Sequence, residues 1–101
     1  MTVTVTATMT KPEGTEFFFE SNPDNAAEAS TLNSWVASLP GFISQTKSFS
    51  DTNTKIVVTV WDTVENYANA VAERSQRPES VKKRAHNQAN GIRTVINETL
   101  T

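Results

Sequence analysis

The chain has 101 residues, a formal net charge of −2 and no cysteine. This suits one domain with one modest core, and it excludes disulfides, thiol catalysis, thiolate metal sites and a global attraction to nucleic acid. No apolar run approaches the length of a membrane span, and the first residues lack the charged and apolar regions of a signal peptide, so a cytoplasmic protein is expected.

Thr2 to Thr10 alternates cleanly, with Val3, Val5, Ala7 and Met9 on one side and threonines on the other, which predicts a strand. Lys11-Pro12-Glu13-Gly14 has turn composition. Phe17, Phe18 and Phe19 follow in the run Thr15 to Glu20. This run reads as a short strand, a continuation of the first strand or a flap, with at least two of the rings buried. Asn22-Pro23-Asp24 opens a helix by its cap, its proline and its acid. Ala26, Ala29, Leu32, Val36 and Leu39, with Trp35 beside them, carry that helix from about Pro23 to Ser38.

Leu39-Pro40-Gly41 stops the helix. Phe42 to Ser50 alternates weakly as a second strand, and Asp51 to Thr54 has turn chemistry. Lys55 to Trp61 is apolar on both sides, with Ile56, Val58 and Val60 on one and Val57 and Trp61 on the other. Such a strand requires cover on both faces. Helices of a chain this short cover one face, so a second copy of the chain is expected on the other.

Asp62 and Glu65 read as a capping box for the next helix, whose apolar stripe is Val64, Tyr67, Ala68, Val71 and Ala72. Arg77-Pro78 interrupts it. The helix resumes near Pro78 with a thinner stripe of Val81, Ala85 and Ala89, and Gly91 closes it. Ile92 to Leu100 is the last strand. The acids Glu13, Glu16, Glu20, Asp24 and Glu28 lie in one segment. The bases Arg74, Arg77, Lys82, Lys83, Arg84 and Arg93 lie in another, which reads first as a solvated helix face, next as a partner for the acidic segment within the chain or across a dimer, and last as a site for an anionic ligand. The exposed aromatics that a nucleic-acid surface interleaves with its bases are missing there.

The order β-α-β-β-α-β over a single domain, residues 1–101, is the ferredoxin-like pattern, an α+β sandwich with a four-stranded antiparallel sheet. Trp35 to Phe42, with its Leu-Pro-Gly-Phe transition, and Ile56 to Asp62, followed by a helix carrying Tyr67, resemble the antibiotic-biosynthesis-monooxygenase-like group of dimeric α+β barrels. The resemblance implies a homodimer that stacks its sheets into a barrel. Members include cofactor-free oxygenases of aromatic compounds, haem-degrading enzymes and isomerases. The haem-degrading members use a helix histidine, an Asn on the first strand and a Trp on the second helix. His86 is on the corresponding helix here, but the other two residue types are absent.

His86, the only histidine, lies at the border of the Val81–Ala85–Ala89 stripe. It reads as a surface residue, an acid or base, or a metal ligand without nearby partners. Trp35, Trp61 and Tyr67 read as core or as pocket. The resemblance implies that Trp61, Tyr67 and His86 orient and deprotonate a small hydrophobic or aromatic compound. It offers Asn66 and Arg93 as contacts to the compound's oxygens and Phe17, Phe19, Trp35, Phe42 and Phe49 as walls. No carboxylate pair, phosphate loop, flavin fingerprint or metal motif stands out, so the expected activity needs no cofactor. A non-enzymatic dimer that binds a small ligand or a protein is the other reading.

Overall fold

The computed structural model describes residues 1–101. The chain forms β1 (Val3–Thr10), a one-turn 3-10 helix (Phe18–Glu20), α1 (Pro23–Ala37), β2 (Phe42–Asp51), β3 (Thr54–Trp61), α2 (Val64–Arg74), α3 (Pro78–Asn90) and β4 (Arg93–Leu100). The four strands pair antiparallel in the order β2-β3-β1-β4. This is the expected α+β ferredoxin-like arrangement, with the second helical segment split in two.

The register fixes which side chains share a face. Val3 pairs with Trp61 and Leu100, Ala7 with Val57 and Ile96, and Met9 with Lys55. These residues face the helices. Val3, Val5 and Trp61 meet Leu32, Val36 and Ala70 in the main core, and Met9, Phe17 and Ile92 form a smaller core at the other end of the sheet. Ile56, Val58 and Val60 face the other way with the threonines of β1, and no element of the chain covers that side. Pairing of β2 with β3 shifts register between Phe42 and Ser44 and again between Phe49 and Asp51, whereas β4 pairs with β1 without interruption. No helix is long and apolar enough to cross a membrane.

The Phe17–Phe19 run is neither strand nor flap. Phe17 is buried, and the chain turns through the 3-10 helix behind it. Lys55 causes this. It is 5% exposed, and its Nζ donates to both Glu20 carboxylate oxygens at 2.8 and 3.1 Å. The Phe17 and Phe19 rings lie 5.8 and 5.7 Å from the same nitrogen. A buried ammonium requires such a set of partners.

The helix starts follow their caps. Asn22 accepts from the Asn25 amide at 2.8 Å, with Pro23 in the first turn. At α2 the cap is Thr63, not Asp62: Thr63 Oγ1 accepts from the Asn66 amide at 3.1 Å. The Asp62 carboxylate instead accepts from the Asn66 side chain at 2.9 Å.

Two predicted stripes are rotated in the structure. On α2, Val64, Ala68 and Ala72 are exposed, and Tyr67, Ala70 and Arg74 point inward. On α3, Val81, Ala85 and Ala89 face solvent, while Ser80, Lys83, His86 and Asn87 turn toward the protein. Polar contacts fix this orientation. Lys82 donates to Glu28 of α1 at 2.6 Å, and His86 Nε2 lies 2.6 Å from the Glu16 carbonyl oxygen. The Arg77 guanidinium lies 4.5 Å from the centre of the Trp35 ring and is ion-paired to Glu79. Basic segment and acidic segment therefore do meet within the chain, through Lys82 and Glu28.

Gly41 is where α1 turns back into the sheet. Its φ is +82°, and a Cβ there would come within 2.6 and 2.8 Å of two Asn66 side-chain atoms and collide with the Asp62 carboxylate. Gly14 shares the left-handed conformation, with φ +84° and nothing within 4 Å. Alanine at a left-handed position costs about 1–2 kcal/mol in conformation alone. Urea denaturation of Gly14→Ala should show a loss of about that size. Gly41→Ala should lose clearly more, because the α2 cap must also move.

Candidate functional site

Between the sheet and the helices lies a cavity of about 210 Å³. Val5 and Ala7 of β1, Val57, Thr59 and Trp61 of β3 and Ile96 of β4 form its floor. Val36 of α1 and Tyr67, Ala70, Val71 and Arg74 of α2 form its roof. The chamber exists because the inward residues of its floor, apart from Trp61, are small or β-branched, while α2 presents alanine at its centre. Polar groups enter it from Thr59, Tyr67 and Arg74 alone.

Tyr67 and Arg74 are two helical turns apart on α2 and share its inward face. Burial raises the Tyr67 pKa, and the charge of Glu98 adds to this against the opposing effect of Arg74. The phenol is thus a firm hydrogen-bond donor at neutral pH. Burial lowers the pKa of Arg74, yet a guanidinium remains charged at any relevant pH.

Arg74 also lines two adjoining cavities. One, of about 80 Å³, is shared with Lys47, Lys55, Lys83 and Glu20; the other, of about 300 Å³, is more open and is shared with Ser75, Ser80, Lys83 and Arg84. Burial pushes the Lys83 amine down to about 8, and repulsion from Arg74, Lys55 and Arg84 adds to the shift. Burial also lowers Lys55, although Glu20 opposes it. Burial alone would raise the Glu20 pKa, but its bonds from Lys55 and Lys47 outweigh that and hold it below the usual carboxylate value. No group of three or more His, Asp or Glu side chains converges as a metal site.

The structure brings Trp61 and Tyr67 together in the chamber wall. It places His86 outside that wall. There the ring bonds the Glu16 carbonyl, packs 5.5 Å from Phe18 and has the Asn90 amide 3.4 Å from Nδ1. Phe42 meets Trp61 edge-on at 5.6 Å and so supports the wall from behind. Phe17 is core, and Phe49 lies 6.2 Å from it with about half its surface exposed. Phe19 lines the cavity that holds Lys55 and Lys83. Trp35 is a platform for Arg77. Asn66 is engaged at the α2 cap, and Arg93 is exposed at the start of β4, on the open side of the sheet.

Sequence reasoning missed Thr59, Arg74 and Lys83. The signal for Arg74 was its spacing of seven from Tyr67 and four from Ala70, which places all three on one helix face. It was masked by the charge run in which Arg74 sits.

No family model and no curated protein matches this chain. Solved structures do. SnoaB, a cofactor-independent oxygenase from Streptomyces nogalater, is 17% identical over 99% of this chain and 92% of its own, with a TM-score of 0.66. A Chloroflexus aurantiacus protein named for the antibiotic biosynthesis monooxygenases is 17% identical over 100% of this chain and 93% of its own, with a TM-score of 0.60. PA3566 from Pseudomonas aeruginosa is 14% identical over 99% and 95%, with a TM-score of 0.61.

Lys83 yields a stability prediction. Its folded pKa of about 8 lies below the unfolded value of about 10.4, so the unfolded chain binds the extra proton between them. Stability therefore rises with pH across that window as the penalty of the buried charge disappears. Chemical denaturation of the wild type between pH 7.5 and 10.5, at fixed salt, should show this rise as about 1 kcal/mol or more, and Lys83→Met should flatten it. Across nearly its whole length, the chain has the fold of the antibiotic-biosynthesis-monooxygenase-like proteins.

Proposed function

We propose that this protein is a homodimer whose chamber takes a small aromatic or enolisable compound and oxidises it without a cofactor. The observation that carries this reading is the chamber itself: an apolar slot, open to solvent beside Val71 and Ile96, whose few polar groups, Thr59, Tyr67 and Arg74, converge from two elements. The fold shared with a cofactor-independent oxygenase supports it by analogy.

In this reading Trp61 and the aliphatic walls hold the ring system. Tyr67 donates to an oxygen of the compound, and Arg74 lies on the same helix face to balance negative charge. Both features favour the enolate over its neutral parent, which lowers the cost of losing the proton to solvent water. An electron-rich enolate of this kind reacts with oxygen directly. His86 contributes by holding the Glu16–Phe18 segment in place.

A second reading, a non-enzymatic module that binds a small ligand, is favoured by one observation. The chamber wall contains no carboxylate and no imidazole to act as a general base. Oxygen uptake separates the two. With a panel of enolisable aromatic ketones, the enzyme reading expects catalysed uptake. Tyr67→Phe should reduce kcat about 10²-fold or more, with fluorescence quenching at Trp61 still reporting binding. Saturable quenching without oxygen uptake across the panel would favour the binding module.

The dimer reading rests on the open sheet face, where Ile56, Val58 and Val60 run down β3 and Val95 of β4 is 58% exposed. Two such faces stacked on a two-fold axis bury each other. Sedimentation at micromolar concentration should give about twice the chain mass. Val58→Lys should give the single-chain mass with the fold retained, because the charge lies on the side away from the core.

A further inference from the structure

We infer that the compound held in the chamber is an anion, with an apolar ring body over Trp61 and a carboxylate seated between Arg74 and Lys83. The inference rests on the reading of the chamber as a ligand site and specifies the ligand's charge.

The observation behind it is a local charge that the protein leaves unbalanced. Lys47 of β2, Lys55 of β3, Arg74 of α2 and Lys83 and Arg84 of α3 line the two cavities beside the chamber. The one carboxylate among those lining residues is Glu20, and it is shared between Lys47 and Lys55. Arg84 is tied to the Ser75 carbonyl at 2.8 Å. The other two ion pairs of the structure take Arg77 and Lys82, so neither Arg74 nor Lys83 has an acid partner. Lys47 and Arg84 are exposed, whereas Lys55, Arg74 and Lys83 are largely withdrawn from solvent, in a protein whose net charge is −2.

Packing unpaired cations beneath two helices is unfavourable unless something else neutralises them. Arg74 is common to the chamber and both neighbouring cavities, and Lys83 is common to the latter two. A carboxylate reaching out of the chamber past Arg74 therefore meets Lys83 next. Beside them the Ser80 hydroxyl is buried without any hydrogen-bond partner, which leaves a donor free at the same place. A guanidinium, an ammonium and a hydroxyl together match one carboxylate, and the guanidinium fork accepts it through both oxygens. The apolar chamber on the other side of Arg74 requires that the rest of the ligand be hydrocarbon-like.

The test uses 2-naphthoate and its uncharged analogue 2-naphthalenemethanol, titrated by calorimetry against the wild type, Arg74→Met and Lys83→Met at pH 8. Naphthoate should bind the wild type at least tenfold more tightly than the alcohol, and each variant should lose most of that preference. Because bound carboxylate returns the Lys83 pKa toward its ordinary value, binding of naphthoate to the wild type should also take up protons, seen as a dependence of the heat on buffer ionisation. Both variants remove repulsion and should fold at least as well as the wild type. Equal affinity for the two compounds would overturn the anion inference and leave the chamber reading standing. A preference that survives in both variants, or naphthoate binding without proton uptake, would also overturn it. Binding of neither compound would overturn the chamber reading and the inference with it.

Discussion

One ion pair between the helical layer and the sheet governs how this chain is assembled. Lys55 occupies a helix-facing position of β3, opposite Met9, where an aliphatic side chain would be ordinary. Burying its ammonium costs several kcal/mol unless it is paired. Glu20 supplies the pair through both carboxylate oxygens, and the Phe17 and Phe19 rings lie close to the same nitrogen. The segment before α1 is thereby drawn across the end of the sheet. The 3-10 turn sets where α1 starts, and α3 is held against that turn by His86. Apolar stripes alone would have oriented these helices differently, as the exposure of Val81, Ala85 and Ala89 shows.

The same preference for polar fastening produces the contrast inside the molecule. At one end the chamber is almost wholly hydrocarbon, and at the other Arg74, Lys83 and Lys55 face one carboxylate. Arg74 belongs to both ends. It lines the apolar slot and both neighbouring cavities, which makes it the residue common to the two chemistries.

The sheet was legible in the sequence because period-two alternation is a local property: β1, β3 and their facing residues follow from it directly. The first helix was legible for a similar reason, since Leu32 and Val36 carry its stripe and Asn22 its cap. The Phe17–Phe19 run was not, because its partner Lys55 is far away in sequence and nothing local announces a buried lysine. The rotation of α2 and α3 was hidden likewise, since Lys82, Arg77 and His86 take their partners from other elements or from backbone carbonyls. Of the chamber, Trp61 and Tyr67 stand out as aromatics at the junction of strand and helix. Thr59 and Arg74 do not, because a threonine in a strand and an arginine in a basic run are ordinary until the strands and helices come together around them.

The irregular pairing of β2 has a bearing on how the protein behaves when crowded. A sheet has two edges, and a bare edge is a template onto which another chain can zip. On the β2 side, the two register shifts near Phe42 and Phe49 kink the strand and spoil a long straight template. The β4 edge has no such irregularity over its eight residues and is exposed throughout. Self-association by strand addition is thus discouraged along one margin of the molecule and left to the charges of Arg93 and Glu98 along the other.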